Sequence, residues 1–392
     1  MLQAKQEGGK LIIALNGVIT SNNAHEVESE LQAVREKYPC QSIELNCDQL
    51  TYSSSAGLRV ILRLKKEVDD TVLTNVHEEL YDVLDMTGFT EIMTVQKAYR
   101  VISVEGCEVI GQGANGKIYR IDPDTIVKVY LNPDALPEIH RERELARLAF
   151  VAGVPTAIPY DVVRIEGGGY GSVFEMLNAD SFAKLIYKGK KSVDEVAEMS
   201  TDLLKLIHSK VIRSDILPDM KAVALDWAEF LKDYLPADLF EKLYSLISAV
   251  PEDDHLMHGD YHVKNIMLQN GETLLIDMDT LCHGHPIFEL ASMYNAYVGF
   301  GLSNPHGSRD FLGITSEESA AFWRKSLSLY LDTDDEDRIN EVEKKAKIVG
   351  LTRIMRREIR RDGLNREDGR YMIDICRRTL EELLPETDTL VF

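Results

Sequence analysis

Asp260, His262 and Asn265 stand close together in His258-Gly259-Asp260-Tyr261-His262-Val263-Lys264-Asn265, and Leu274-Leu275-Ile276-Asp277-Met278-Asp279 follows shortly after. In this order the residues fit phosphoryl transfer. Asp260 could accept the proton of an attacking hydroxyl, while Asn265 and Asp277 could hold Mg²⁺ on the phosphates of ATP. Two carboxylates beside a triphosphate repel it by roughly 4 kcal/mol per pair of unit charges at 4 Å and an effective dielectric of 20. A divalent ion with oxygen ligands turns that repulsion into attraction. The apolar run before Asp277 predicts a buried strand that delivers the carboxylate at its end. Simple loop capping explains each polar residue alone but not their order. A metallohydrolase is the rival, because His255, His258, Asp260, His262, His283 and His285 cluster and zinc favours such ligands. That reading leaves Asn265 idle.

A second constellation lies upstream, in Val109-Ile110-Gly111-Gln112-Gly113-Ala114-Asn115-Gly116-Lys117-Ile118-Tyr119. A dinucleotide site would need these glycines to open a helix. Instead the alternation after Gly116, the turn at Asp122-Pro123-Asp124 and the run Thr125 to Tyr130 predict strands. Gly111, Gly113 and Gly116 then form a strand–turn–strand loop whose amides can approach phosphates without side-chain hindrance. Lys128 falls where a cation would grip those phosphates; as an ordinary strand lysine it would point to water. The following helix, from about Pro137 to Leu148, carries a partner for it. Glu142 is the first choice and Glu144 the reserve, since about 200° separates them around a helix. Gly171 to Leu177 predicts a strand running into the connection between two lobes, where the backbone of Glu175 and Leu177 could bond adenine.

From about residue 105 to 385 the chain resembles the aminoglycoside phosphotransferase and choline kinase family. The motifs are His258-Gly259-Asp260-x-His262-x-x-Asn265, Ile276-Asp277-x-Asp279 and the Lys128/Glu142 pair. The resemblance implies a bilobal, protein-kinase-like α+β domain with a β-rich N-lobe and a helical C-lobe. It makes Asp260 the catalytic base, sets His262 near the transferred phosphate, and makes Asn265 and Asp277 the metal ligands. The glycine loop looks more like that of a protein kinase. However, Gly284-His285-Pro286 follows Asp277 too soon for a peptide-docking activation segment. That favours a small hydroxylated substrate.

The first hundred residues read differently. Strands are expected at Lys10 to Asn16, Ser42 to Cys47, Thr71 to Val76 and Glu91 to Val95. Helices are expected from about Asn23 to Tyr38, after Ser54-Ser55, and from Glu79 to Met86. Ser-Ser-Ala-Gly-Leu-Arg at the head of the second helix and Leu-Asp-Met-Thr-Gly-Phe near the end resemble the STAS domain of anti-sigma-factor antagonists. The resemblance implies an α/β STAS sandwich and makes Ser55 the position that is phosphorylated in that family to switch partner binding. Ser54 replaces the family's aspartate. Capping of the helix by Ser54 and Ser55 is the alternative role.

The expected layout is residues 1–98 as the STAS domain, 99–178 as the N-lobe and 179–392 as the C-lobe. With 392 residues, 44% of them hydrophobic, there is ample core for these units. Five cysteines without a CxxC pattern suggest reduced thiols, and no spanning apolar run is present, so the cytoplasm is the expected compartment and no membrane partner is expected. A net charge of −21 argues against nucleic acid as a partner. One stripe breaks the acidic trend: Arg353, Arg356, Arg357, Arg360 and Arg361 share a helix face. It is either a solvated face or a receptor for an anionic substrate group or an acidic domain surface. The tail from Thr379 reads as a simple end.

Together these readings point to an ATP- and Mg²⁺-dependent phosphotransferase that acts on a small-molecule hydroxyl and carries a STAS regulatory domain. An anti-sigma factor or another STAS-binding protein is the implied partner. Two alternatives stay open. One is a protein serine kinase acting on Ser55 of its own or a homologous STAS domain. The other is a non-catalytic nucleotide-binding scaffold in an anti-sigma-factor antagonist pathway.

Overall fold

Strict alternation of apolar side chains organises the first part of the chain. The computed structural model describes residues 2–7, 9–113, 115–212 and 216–392. Its first sheet runs in the order β1 (Leu2–Glu7), β2 (Lys10–Ile19), β3 (Ser42–Ser53), β4 (Asp70–Val76), β5 (Val95–Lys97). Only the β1–β2 pairing is antiparallel; the rest are parallel. Leu11, Ile13 and Leu15 on β2 and Ile43, Leu45 and Cys47 on β3 are buried at alternate positions, as one covered sheet face requires. The cover comes from α1 (Ala24–Lys37), α2 (Ser55–Glu67) and α3 (Glu78–Met86). One expectation is corrected. The stretch expected as a last strand from Glu91 to Val95 begins as helix, α4 (Phe89–Ile92), and the strand starts only at Val95. Gly88, at φ +77°, turns the chain into α4 and lets Phe89 enter the core, which a strand there would not do.

By contacts the chain divides into residues 1–103 with 162–168, and residues 104–161 with 169–392. In the first unit, β6 (Arg100–Ile102) pairs in parallel with β10 (Asp161–Ile165). The second unit opens with antiparallel strands β7 (Glu108–Gln112), β8 (Gly116–Asp122), β9 (Thr125–Tyr130) and β11 (Tyr170–Glu175). Helix α5 (Leu136–Val151) carries Ile139, Leu145, Ala146 and Ala149 on its buried side. The remainder is mostly helical: α6 (Phe182–Tyr187), α7 (Val193–His208), α8 (Met220–Phe230), α9 (Ala237–Ser248), α10 (Ile287–Tyr297), α11 (Gly307–Leu312), α12 (Ser316–Leu331), α13 (Glu336–Arg360) and α14 (Glu367–Leu383). Helix α10 is buried along its whole length, so it serves as the axis around which the others pack. Four short strands hold the chemistry-bearing loops: β13 (Leu256–Met257) pairs with β16 (Cys282–His283), and β14 (Ile266–Gln269) with β15 (Glu272–Leu275), while β12 (Asp180–Ser181) adds to β14. An α/β sandwich is thus followed by an α+β unit with a strand-rich start and a helical remainder, the architecture the sequence predicts.

The tail is a second correction. It is no simple end: Leu384 and Leu390 are fully buried, and Lys345 donates to the Val391 carbonyl at 2.8 Å. Lys345 is itself buried and pairs with Glu341 at 2.5 Å, so the tail carbonyl gives this buried ammonium a second partner.

Candidate active site

Hairpin geometry sets the first part of the site. β7 and β8 pair Gly111 with Ile118 and Gln112 with Lys117, and Gly113 donates to the Gly116 carbonyl at 2.9 Å. A Cβ on Gly116 would lie 2.4 Å from the Val129 carbonyl oxygen, so only glycine lets β8 press this close to β9. Gly113 has open space around it, as an approaching phosphate would need. Ala114 lies outside the described residues.

Lys128 projects from β9 to α5, where its ammonium donates to both Glu142 oxygens, at 2.8 and 3.0 Å, and to Asp277 at 3.2 Å. Glu142 is buried and Glu144 exposed, so the helix phase selects the former. Tyr130 donates to Glu142 Oε2 at 2.5 Å and helps fix the carboxylate. Burial would lower the Lys128 pKa, but Glu142, Asp277 and Tyr130 outweigh it and hold the ammonium charged.

The loop between β13 and β14 carries Asp260, His262 and Asn265. Gly259 enters it at φ +81°, with a Cβ position 2.4 Å from the Thr280 carbonyl oxygen, so the turn admits no side chain. Asn265 donates through Nδ2 to the Asp260 carbonyl at 3.0 Å. Its side-chain oxygen is then the group left for a cation. His262 Nε2 lies 3.4 Å from Asp260 Oδ2, and its ring packs edge-on against Phe311. Burial pushes the Asp260 carboxyl up; the His262 hydrogen bond and charge, with His258 and Arg353 beyond, more than offset it and keep it below the ordinary range. Asp260 is therefore an ionised acceptor at neutral pH.

Asp277 follows β15 in left-handed backbone, at φ 66°, and its side chain is largely open. That conformation is uncommon outside glycine and is tolerated best by Asn and Asp. Asp279, two residues on, accepts from Asn115 at 3.4 Å. Burial first and the Asp277 carboxylate second push Asp279 up to about 6, with Lys128 opposing them. Among the described residues no three His, Cys, Asp or Glu side chains could hold a metal ion by themselves. Mg²⁺ asks for less, since it keeps waters and phosphate oxygens and takes one or two protein ligands. Asn265 and Asp277 fit that demand.

Glu175 and Leu177 border a cleft of about 480 Å³ that Thr156, Ile158, Gln269 and Leu274 also line. The amide between them, on Met176, is already committed to the Asp124 carbonyl at 2.7 Å. Four of the five arginines lie on α13, and Arg361 caps it. Arg353, Arg356 and Arg357 are half-buried, Arg360 and Arg361 exposed, while Ile354, Met355 and Ile359 face the core. In the first unit Ser54 is the N-cap of α2 and accepts from Gly57 at 3.4 Å, and Ser55 is exposed at the helix head.

Residues 106–307 match the model of the phosphotransferase enzyme family. The chain belongs to that family. Residues 1–101 match the STAS domain model. Over 91 residues the chain is 36% identical to BtrV of Bordetella bronchiseptica, a protein named as an anti-sigma factor antagonist; the match covers 22% of this chain and 78% of that protein. Among solved structures, a thermostable mutant of aminoglycoside phosphotransferase APH(4)-Ia is 13% identical, covers 70% of this chain and 94% of its own, and has a TM-score of 0.48. A choline/ethanolamine kinase family protein from Mesorhizobium loti is 15% identical, covers 72% and 88%, and has a TM-score of 0.45.

Some residues of the candidate site went unread in the sequence. Glu289, on α10, is fully buried and accepts from the backbone amides of His258 at 2.6 Å and Gly259 at 3.1 Å. Its signal was an acid inside the apolar run Ile287-Phe288-Glu289-Leu290-Ala291. His208 stands 3.9 Å from it, beyond hydrogen-bond reach but near enough to act on its charge. Tyr130 had no signal beyond strand alternation.

Proposed function

We propose that the chain is an ATP- and Mg²⁺-dependent phosphotransferase whose acceptor is a hydroxyl of a small molecule, with the STAS domain as its regulatory or partner-binding part in the cytoplasm. Residues 99–178 would form the nucleotide lobe and 179–392 the helical lobe. The observation that carries the reading is the pairing of Lys128 with both Glu142 and Asp277, within the unit that holds Asp260. Lys128 would hold nucleotide phosphates from a position fixed by Glu142. The glycine loop would cover those phosphates with backbone amides, and the cleft beside Glu175 and Leu177 would take the base. Asp260 would receive the acceptor's proton as the oxygen attacks the γ-phosphorus and the bond to the β,γ-bridging oxygen breaks, releasing ADP, with His262 keeping the carboxylate ionised and oriented. Asn265 and Asp277 would hold Mg²⁺, which supplies charge neutralisation on the phosphates.

A specific observation keeps a second reading in view: Ser54 takes the helix cap and leaves the Ser55 hydroxyl exposed. Incubation with Mg²⁺ and labelled ATP, followed by intact mass and peptide mapping, decides between them when Asp260→Ala and Ser55→Ala proteins run alongside. The expected result is an unlabelled chain that forms ADP when a hydroxyl compound from an acceptor library is added. Label on Ser55 that vanishes in both variants would make the chain a kinase of its own STAS domain. Nucleotide binding with no turnover against any acceptor would make it a scaffold.

A further inference from the structure

We infer that the acceptor is anionic, a hydroxyl compound bearing a carboxylate or a phosphate ester that Arg353, Arg356 and Arg357 recognise. The inference rests on the phosphotransfer reading for the identity of the ligand as acceptor, and on the following geometry for its charge.

Two chains of contact run from the arginine face of α13 to the catalytic loop. Arg353 donates to Ser292 at 3.0 Å, and Ser292 donates at 3.0 Å to the carbonyl of Gly259, the residue before Asp260. Arg357 lies over the Phe300 ring at 4.9 Å; Phe300 packs on Phe311 at 5.1 Å, and Phe311 on the His262 ring at 5.0 Å. His262 meets Asp260. The charges agree with this proximity, for Arg353 acts on Asp260 and Asp260 on Arg357.

The guanidiniums are held but not neutralised. Arg353 sits over Trp227 at 5.4 Å and Arg356 over Phe230 at 5.7 Å, both from α8. Among the described residues none of the five arginines forms an ion pair, in a chain with 65 acidic residues; the neighbouring Glu358 pairs with Arg366 instead. Asp226 and Glu358 act on the face only from a distance. The Nε atoms of Arg356 and Arg357 are buried without a hydrogen-bond partner. A buried donor left unmatched is costly, and native proteins rarely leave one without a reason. Stacked on an aromatic face, a guanidinium keeps its planar fork for two-point binding of a carboxylate or phosphate. A cationic acceptor would meet like charge from Arg353, Arg356 and Arg357 on this face.

Calorimetric titration of the full chain tests the inference, with MgADP saturating so that the nucleotide site is filled. Inorganic phosphate and D-glycerate are the probes. Binding near the millimolar range, weakened about 10- to 100-fold in Arg356→Gln and in Arg357→Gln, is expected. Arg357→Met keeps an apolar stem on Phe300 and should lose binding equally, which separates charge from packing; Arg357→Lys should recover part of it. Affinity weaker than about 10 mM for both probes, or unchanged in these variants, overturns the inference. ADP formation with glycerol, glycerol 3-phosphate, D-glycerate, choline and kanamycin distinguishes the sources. Preference for the phosphate ester or the carboxylate, with a raised acceptor KM in the variants, supports an anionic acceptor and says which. Turnover of only neutral or cationic acceptors, without anion binding, overturns this inference and leaves the phosphotransfer reading intact. Anion binding without transfer to any acceptor supports the anion site and sinks the phosphotransfer reading.

Discussion

At Asp260 opposing forces act on one carboxyl, and in the proposed mechanism their balance sets the proton acceptor. Burial favours its neutral form, while His262, His258 and Arg353 favour the ionised form and prevail. Asp260→Asn keeps the shape and removes the proton acceptor, so kcat should fall at least about 100-fold while MgATP still binds. His262→Ala removes the largest downward influence. Burial then gains weight, the Asp260 pKa rises, and the acid limb of kcat against pH should move to higher pH than in the parent. An unmoved limb would show that His262 does not set the carboxylate. The sign for stability follows from the same depression. A carboxyl held below its unfolded value stabilises the fold above that value, and the contribution is lost as pH falls through the folded pKa. Lys128→Met acts more broadly, because it leaves buried Glu142 without its cation. Urea melts should show a loss of about 3–5 kcal/mol together with lost nucleotide binding.

At the scale of elements, α10 holds the loop that carries Asp260 through Glu289, Ser292 and Tyr297, and Glu289 makes the most contacts. Glu289 accepts the amides of His258 and Gly259, so Glu289→Ala leaves one buried and one half-buried donor without an acceptor. Each costs about 1–3 kcal/mol, and equilibrium unfolding should show their sum, with kcat reduced because the loop has lost its anchor. Glu289→Gln should be milder, since its amide oxygen still accepts. Such anchors mark the limit of what the sequence makes legible. The motifs around Asp260 and Asp277 could be read because their order along a loop and a strand end has no simpler explanation. Lys128 and Glu142 could be read because a strand and a helix phase set their directions. Glu289 and Tyr130 act through contacts between elements distant in sequence, and no local period records those. The stretch from Phe89 to Val95 misled for a related reason: a single turn of helix is too short to show a 3.6-residue repeat, and burial of Phe89 decided it. The arginine face was visible as spacing. Its aromatic floor from α8 and Phe300 was not.

Over the whole molecule, two separate hydrophobic cores belong to the two units, one built on β2, β3 and α2 and the other on α7, α10 and α13. Separate cores favour separate unfolding, so calorimetry of the full chain should resolve two transitions rather than one. That separation makes the roles of Ser54 and Ser55 distinguishable. Ser54 accepts from Gly57 as the cap of α2, and its loss in Ser54→Ala should cost about 0.5–2 kcal/mol, lowering only the transition of the STAS unit. Ser55 is exposed one position further on. A negative charge at the first turn of a helix gains about 0.3–1 kcal/mol, so Ser55→Asp should leave that transition in place or raise it slightly. If Ser55 also capped the helix, its substitution would destabilise the unit as Ser54→Ala does, and a phosphate there would compete with the fold. The opposite signs expected for the two serines divide the work between neighbours: one secures the helix, and the other can take charge without disturbing it. Any change in acceptor turnover in Ser55→Asp, measured with both transitions intact, would then report communication between the STAS unit and the phosphotransferase rather than loss of structure.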